Sequence, residues 1–246
     1  MIKKILKSIV PVTAIQWIRK VRYSKRRSQF FGHSTEDAFK KIYKDNLWNS
    51  EESPSGTGSE SKQTAALIKK LDLLLTEIKI HTLLDIPCGD FIWMNKVNLS
   101  RINYIGADIV ADLVEKNNQQ YKSSSIQFAQ LDLIKDPLPQ CDLIFTRDCL
   151  VHLSNKDILK AIKNIIASGS KYLLTTTFVK HSLNYDITTG DWRAINLLKP
   201  PFNFPPPLRL INEGCSEGDF EYSDKSMGLW KISDLSKYLQ KNSYLL

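Results

Sequence analysis

A length of 246 residues is enough for one large domain with a full hydrophobic core, and its composition is ordinary for a globular protein. No apolar run approaches the ~18 residues of a membrane span, and the four cysteines form no C-x-x-C pair, which argues against an integral membrane protein, a zinc site and a disulfide scaffold. The net charge of +8 points first to nucleic acid, but residues 1–33 hold nine Lys and Arg and no acid. The other 25 basic residues face 26 acids, so nucleic acid is not the predicted partner.

Residues 1–33 are predicted to form a basic amphipathic segment. Apolar residues at 2, 5, 6 and 9, and again at 14, 15, 18 and 21, are separated mainly by Lys and Arg. Three interpretations stay open: a helix that packs on the domain, a helix that lies on an anionic membrane with Trp17 at the headgroups, and a nucleic-acid tail. Pro11 and Gln16 interrupt the apolar stretch and no small-residue cleavage site follows, so a signal peptide is not predicted.

Residues 34–246 are predicted to form a single domain that begins with helical segments. The apolar residues of 34–48 share one face, and 64–78 is strongly periodic, so both segments predict helices. Between them, 50–59 is rich in Ser, Gly and Pro. That composition indicates a flexible loop, either a linker or part of a site.

From residue 82 onward, strand and helix patterns alternate. Predicted strands lie at 82–86, 103–109, 126–131, 142–146 and 171–178, predicted helices at 111–121 and 154–167, a closing strand pair at 208–212 and 227–232, and a last helix at 234–240. This alternation predicts an α/β fold, a Rossmann-like doubly wound and mostly parallel seven-stranded sheet with helices on both faces and a closing antiparallel pair. Residues 179–207, rich in Pro and aromatics, are predicted to be a substrate or lid loop.

Acids follow the first four strands at their carboxyl ends: Asp85, Asp108, Asp132 and Asp148. Ligands of doubly wound sheets bind at this edge, and strand interiors disfavour Asp. Asp108, 23 residues after Asp85, suits a ribose diol, and Asp132 could accept a hydrogen bond from an adenine amine. The predicted ligand therefore contains an adenosine.

The turn after the first strand distinguishes between adenosine cofactors. A dinucleotide fingerprint needs three glycines, whereas this turn has Gly89 alone, followed by Asp90. A carboxylate would repel a pyrophosphate and attract a cation. S-adenosylmethionine, with an ammonium and a sulfonium, is the cofactor that this turn favours.

Three motifs together resemble the class I S-adenosylmethionine-dependent methyltransferases over about residues 50–246. They are the first motif Asp85-Ile86-Pro87-Cys88-Gly89-Asp90-Phe91, the sequence Arg-Asp-Cys-Leu-Val-His-Leu at 147–153, and Asp-x-x-x-Gly-x-Trp-Arg at 186–193. Pro87 and Phe91 stand where the family usually has its first and third glycines. The combination is similar to a bacterial branch associated with surface-glycan modification.

The resemblance implies how the cofactor is held. Gly89 would lie beneath its amino-acid moiety, Asp108 would hold the ribose and Asp132 the adenine, and the loop at 55–59 would close over the methionine end. The predicted cofactor-binding residues are Ser55, Gly56, Gly58, Asp85, Pro87, Cys88, Gly89, Asp90, Asp108, Ile109, Asp132, Leu133 and Arg147.

Methyl transfer to a hydroxyl requires alignment of the acceptor and removal of its proton. His152, four residues after Asp148, is the predicted general base, with Asp148 orienting it; packing is the alternative role for His152. The predicted substrate-binding residues, with a structural lid as the alternative, are Asp186, Trp192, Arg193 and Asn196.

The leading functional prediction is O-methylation of a sugar hydroxyl in a surface glycan or glycolipid precursor. The expected location is the cytoplasm, with peripheral contact at the inner face of the membrane. An RNA or protein methyltransferase and a non-catalytic S-adenosylmethionine-binding scaffold protein are the alternatives.

Overall fold

A computed structural model describes residues 28–241 and, before them, Ala14, Trp17, Ile18, Lys20, Val21 and Tyr23. Most of the predicted basic amphipathic segment therefore lies outside the described residues. Within the described part of the chain, no helix is long and apolar enough to cross a membrane.

A single seven-stranded sheet forms the centre of the molecule. Its strands are β1 (Thr82–Asp85), β2 (Asn103–Asp108), β3 (Ile126–Gln130), β4 (Leu143–Thr146), β5 (Tyr172–Phe178), β6 (Arg209–Asn212) and β7 (Lys225–Lys231), in the order β3-β2-β1-β4-β5-β7-β6. β1 to β5 pair in parallel, and β7 is antiparallel to both β5 and β6. This confirms the predicted fold, including the closing antiparallel pair.

Six α-helices are described. They are α1 (Thr35–Lys44), α2 (Ser61–Glu77), α3 (Ala111–Tyr121), α4 (Asn155–Ala167), the short α5 (Glu217–Phe220) and α6 (Ile232–Lys241). Ser34 and Ser154 cap α1 and α4 by accepting a hydrogen bond from the backbone N–H of Asp37 and Asp157. The predicted starts of these two helices are therefore confirmed by their capping geometry.

Apolar residues cover both faces of the sheet. In β1, Leu83 packs in the cluster that contains α2, and the next residue, Leu84, packs in the cluster that contains α4 and α6. Successive strand residues point to opposite faces, so a strand buried on both sides must be apolar throughout. β1 and β4 have this pattern. They are neighbours near the middle of the strand order, so their carboxyl ends lie near the middle of the sheet edge.

The turn after β1 does not lead into an α-helix. Phe91 has a left-handed backbone (φ 61°), and the Asp90 carboxylate accepts a hydrogen bond from the Ile92 N–H at 3.1 Å. That local bond competes with helix formation. Only a 3₁₀ turn, Met94–Lys96, follows.

Residues 179–207 contain neither a helix nor a strand, as predicted, yet most of the segment is core. Its buried apolar residues are Ile187, Ala194, Ile195, Leu197, Phe202 and Phe204. A lid over a substrate would expose its apolar side chains when open, whereas these side chains pack beneath α4 and α6. The segment is therefore a packed wall of the domain, with Trp192 its one large apolar side chain at least 40% exposed.

Candidate active site

A cavity opens at the carboxyl ends of β1, β2 and β4, and we call it the strand-end cavity. It holds about 1030 Å³ of space free of protein atoms, including its open mouth. All four predicted acids line it, namely Asp85, Asp108, Asp132 and Asp148. Arg147 is the one Lys or Arg among the described residues lining it, so carboxylates dominate its charge.

Asp108 is tied to the turn that follows β1. Its Oδ2 accepts a hydrogen bond from the Gly89 N–H at 3.1 Å, and its Oδ1 accepts one from the Val110 N–H at 2.9 Å. Burial raises the pKa of Asp108 to about 6, against the lowering effect of these backbone donors. Because each oxygen has a second lone pair, the carboxylate can still accept from two neighbouring hydroxyls.

Asp85 lies deeper in the same cavity. Tyr104 donates a hydrogen bond to its Oδ2 at 2.6 Å, and burial raises the pKa of Asp85 to about 8. A positive ligand above this carboxylate would favour its ionised form. The cavity floor is thus suited to a cation.

Asp90 is an exception among the predicted cofactor residues, because it does not line the cavity. Its carboxylate accepts hydrogen bonds from the Ser53 hydroxyl at 2.5 Å and from the Ile92 N–H. The predicted attraction of Asp90 to a cofactor ammonium stays a prediction, since both of these contacts are within the protein. The role of Asp90 in the structure is to hold residues 53–55 against the turn.

Ser55 sits directly over Gly89. The Asp90 N–H donates to the Ser55 Oγ at 3.0 Å, and a Cβ on Gly89 would collide with that hydroxyl. Gly89 also has φ 56°, in the left-handed region that glycine adopts without strain. The turn requires glycine for both reasons.

Helix α1 and the residues after it form a wall of the strand-end cavity that the sequence did not reveal. Thr35, Phe39, Tyr43 and Trp48 line the cavity, and the Lys116 Nζ donates to the Tyr43 hydroxyl at 2.7 Å, which ties α1 to α3. The amphipathic pattern of 34–48 predicted a buried face but not what that face covers.

The remaining lining includes the predicted residues that follow β1, β2, β3 and β4. They are Pro87, Cys88, Ile109, Leu133 and Arg147. Val110, Leu113, Leu131 and Ile134 complete an apolar slot beside Asp132. A flat apolar ring with a polar edge would fit this slot.

A second cavity, which we call the aromatic cavity, adjoins the first and shares Trp48, Ser55, Asp148 and His152 with it. Its other lining residues are Gly56, Thr57, Gly58, Phe178, Trp192, Glu217, Gly218, Tyr222 and Lys225. Gly56 and Gly58, predicted to contact the cofactor, line this second cavity and not the strand-end cavity. The rings of Trp192 and Tyr222 pack edge to face with centroids 5.0 Å apart.

Charged side chains converge beside Gly58 at one end of the aromatic cavity. A Cβ at Gly58 would stand 3.1 Å from Asp148 Oδ2, 3.6 Å from Lys225 Nζ and 3.7 Å from Glu217 Oε2. Because Gly58 has no side chain, a ligand placed beside it could contact all three of these polar groups. Asp148 is far in sequence from Glu217 and Lys225, so the fold brings it to them.

A buried ion-pair network supports this cluster. Lys225 lies 2.5 Å from Asp148 Oδ2 and 3.6 Å from Glu213 Oε2, and Arg147 pairs with Glu213 at 2.7 Å. Arg147 also donates to the Gly58 carbonyl oxygen at 2.9 Å. Two buried cations thus balance two carboxylates and fix the loop that carries Gly58.

His152 lies where the two cavities meet, at the end of the 3₁₀ turn Leu150–His152. Its Nδ1 is 3.0 Å from the Asp191 carbonyl oxygen. A carbonyl can only accept, so Nδ1 carries the proton and Nε2 keeps its lone pair. Burial lowers the pKa of His152 to about 4, so the ring is neutral at physiological pH.

Asp148 does not orient His152, which corrects the prediction. Its Oδ2 pairs with Lys225, and the Asp191 carbonyl makes the hydrogen bond to the imidazole. Burial disfavours ionisation of Asp148, but the charges of Lys225 and Arg147 outweigh it and lower its pKa to about 2. Asp148 acts on His152 only as a nearby charge.

Arg193, Asn196 and Asp186 take structural positions, contrary to the predicted substrate contacts. Arg193 is fully buried and donates to three backbone carbonyls and to Asn155; Asn196 is buried and donates to the carbonyls of Val179 and His181. Asp186 accepts from the Asn155 N–H at the start of α4. Of the four predicted residues, Trp192 alone lines a described cavity.

No protein-family model matches the chain, and no curated protein matches it in sequence. Solved structures do share its fold. Human N-acetylserotonin methyltransferase in complex with SAM aligns with a TM-score of 0.58 and 15% identity over 87% of this chain and 66% of that chain. The methyltransferase domain of bacterial CtHen1-C aligns with a TM-score of 0.51 and 13% identity over 69% of this chain and 98% of that chain. At these identities the likeness establishes a shared Rossmann-like fold.

Proposed function

We propose that this protein is an S-adenosylmethionine-dependent methyltransferase that methylates a hydroxyl of a sugar, in a surface glycan or glycolipid precursor. The observation that carries the proposal is the position of a neutral His152 between a carboxylate-lined cavity and an aromatic one. A donor and an acceptor that occupy the two cavities would meet at this side chain. The fold shared with the methyltransferase structures supports the same reaction class.

The residues of the strand-end cavity fit S-adenosylmethionine. Asp108 would bind the ribose hydroxyls, the apolar slot beside Asp132 would take the adenine, and Asp85 would face the positive end of the molecule. The Asp85 carboxyl, whose pKa burial raises to about 8, would ionise beside a positive ligand, so the floor favours a sulfonium and an ammonium over a pyrophosphate. The Ser55 hydroxyl, which covers Gly89, would close the site over the methionine end.

The residues of the aromatic cavity fit a sugar. A pyranose has apolar faces that stack on an indole and hydroxyls at its edge that need partners, and Trp192 offers a ring that is 40% exposed. Asp148, Glu217 and Lys225, which converge beside Gly58, supply two acceptors and one donor for those hydroxyls.

S-adenosylmethionine, when bound, supplies a methyl group that its sulfonium already activates. The protein then has to align the acceptor and take up its proton. His152 Nε2 accepts the proton of the attacking hydroxyl, while the Asp191 carbonyl holds the Nδ1 proton and stabilises the imidazolium that forms. Walls from α1 and Trp48 exclude water from the reacting atoms.

Transfer from methyl-tritiated S-adenosylmethionine tests the proposal. The full-length protein is incubated with fractionated cell envelope, with total RNA and with total protein. Label in the glycan or glycolipid fraction, lost after mild glycan degradation, is the expected result. Label in RNA or protein would support the alternative methyltransferases, and cofactor binding without transfer to any fraction would support a scaffold.

We further propose that residues 1–27 hold the enzyme on anionic membrane, where a lipid-linked acceptor would lie. Trp17 and Ile18 are 60% and 40% exposed, and each Lys or Arg near an anionic surface contributes about 1 kcal/mol. Co-sedimentation with anionic liposomes at low and high salt compares the full chain with one that starts at Ser34. The full chain should pellet with the liposomes at low salt but not at high salt, and the shortened chain should pellet at neither. If the full chain stays in the supernatant at both salt concentrations, the membrane proposal is wrong.

A further inference from the structure

Tyr23 connects the N-terminal segment to the loop that follows β5. Its hydroxyl donates a hydrogen bond to Asp191 Oδ2 at 2.6 Å and accepts one from the Thr188 N–H at 2.5 Å. Burial raises the pKa of Tyr23, and the bond to Asp191 raises it further, so the hydroxyl keeps its proton. The Tyr23 hydroxyl is thus hydrogen-bonded to the first and the last residue of the turn formed by residues 188–191.

The same turn holds His152 from the other side. The Asp191 carbonyl accepts from His152 Nδ1, and the Gly190 N–H donates to the His152 carbonyl at 2.8 Å. Gly190 has φ 105°, and a Cβ there would stand 2.7 Å from the ring of Phe30. Phe30 therefore packs directly on the turn, so two residues that precede α1 support the backbone that orients the imidazole.

We infer that Tyr23 is a positioning residue for His152, acting through Asp191; this rests on the proposed role of His152 as general base. The Asp191 carbonyl is the acceptor that keeps the proton on Nδ1 and the lone pair on Nε2. If the turn loses its Tyr23 contacts, that carbonyl moves, and the tautomer with the proton on Nε2 becomes accessible. This second tautomer cannot accept a proton from a hydroxyl on the Nε2 side.

The inference makes residues before α1 part of the active site. Neither Tyr23 nor Phe30 lines either cavity, yet they determine which nitrogen of the base is available. Any displacement of this segment from the 188–191 turn should lower turnover without weakening cofactor binding.

Tyr23→Phe removes only the hydroxyl and is the variant to measure. Nitrogen-15 NMR of histidine-labelled protein reports the tautomer directly, and His152 is assigned among the four histidines from the spectrum of His152→Gln. The full-length protein should show Nδ1 protonated, and Tyr23→Phe should show a mixture. Tyr238→Phe, a tyrosine on α6 that is 39% exposed, is the matched control and should leave the tautomer unchanged.

Turnover provides the second measurement. Loss of the hydroxyl should lower kcat about 5- to 30-fold, the effect of one lost hydrogen bond, with the KM of S-adenosylmethionine unchanged. The acid limb of the kcat–pH profile should move to lower pH, because the Asp191 bond raises the pKa of His152. In the His152→Gln background, Tyr23→Phe should have no further effect on kcat.

Asp191→Ala keeps the backbone carbonyl and removes the side-chain acceptor that Tyr23 binds, so it should reproduce the tautomer mixture. An unchanged tautomer in both Tyr23→Phe and Asp191→Ala, or a kcat loss of the same size with and without His152, would overturn the inference. Failure of the proposed function looks different, because then no fraction accepts methyl groups while the NMR spectra still report the tautomer.

Discussion

The strand-end cavity takes its acidic residues from the ends of successive strands, whereas the aromatic cavity takes its residues from segments far apart in the chain. In the first, Asp85, Asp108 and Asp132 each follow the end of a strand or occupy it, so local pattern and sheet topology suffice to bring them together. In the second, Gly58, Trp192 and Lys225 meet only because the loops after β5 and before β7 fold back over the sheet edge.

The two cavities should therefore differ in how well they tolerate amino-acid substitutions. A cofactor site built on strand ends is held by the sheet itself, so single substitutions there should weaken binding without moving the scaffold. The aromatic cavity is held by a buried four-charge network, and its shape depends on each partner remaining in place. Substitutions can therefore be chosen that affect one cavity and leave the other intact.

The largest expected effect is at His152, one of the four residues that both cavities share. His152→Ala should lower kcat by ~10²–10⁴-fold, as expected for loss of a general base, with little change in cofactor affinity. Single-turnover transfer and calorimetry measure the two quantities separately. A folded variant that loses less than about tenfold would assign His152 to packing.

The pH profile tests the same residue without a substitution. Burial lowers the pKa of His152 to about 4, so the imidazole is neutral above that value and protonated below it. The kcat of the wild type should therefore be level from about pH 6 upward with respect to this group, and should fall as the pH drops toward 4.

Asp108→Ala should affect the strand-end cavity alone. Loss of its contacts to the ribose should weaken S-adenosylmethionine binding by on the order of 1.5–3 kcal/mol, about 10- to 150-fold, in calorimetry. Asp142→Ala is the matched control, because Asp142 is a buried carboxylate at the amino end of the sheet that accepts from the His81 and Thr82 N–H groups. The control should lower thermal stability and leave cofactor affinity unchanged; equal affinity in both variants would contradict the ribose assignment.

Gly58→Ala should affect the aromatic cavity alone. The new Cβ would stand 3.1 Å from Asp148 Oδ2, where an acceptor hydroxyl would bind. The variant should therefore raise the KM of the acceptor by about tenfold, which is roughly the effect of losing one charge-assisted hydrogen bond. Gly89→Ala, where the Cβ meets the Ser55 hydroxyl and φ is 56°, should instead weaken cofactor binding. If both alanines changed the same parameter, the division into two cavities would be incorrect.

The smallest effect is expected at Trp192. Trp192→Leu should raise the KM of the acceptor about 3- to 10-fold through loss of a stacking face, with kcat and cofactor affinity close to wild type. Trp192→Phe keeps an aromatic face and should recover part of the loss. Steady-state kinetics with the labelled acceptor fraction measures both, and an unchanged KM in the leucine variant would remove Trp192 from the acceptor site.

The sequence by itself determined the sheet, most of its element boundaries and the four acids at the strand ends. Strand burial on two faces demands continuous apolar runs, helices show a 3.6-residue period, and acids such as Asp108 stand out after a strand because strands disfavour them. These are local signals, and they also predicted where α1 and α4 begin. Asp90 shows a limit of such signals, because a carboxylate in a turn can bond its own backbone as readily as a ligand.

Only the tertiary structure decided how the residues of 179–207 divide between core and site. A buried Arg193 that bonds backbone carbonyls and an exposed Trp192 beside it have no distinguishing pattern in the sequence. The partner of His152 was likewise hidden, because the Asp191 carbonyl lies 39 residues away and carries no side-chain signature. Long-range contacts made by backbone atoms, and the convergence of Asp148, Glu217 and Lys225 on one glycine, depend on loop paths that no local spacing encodes.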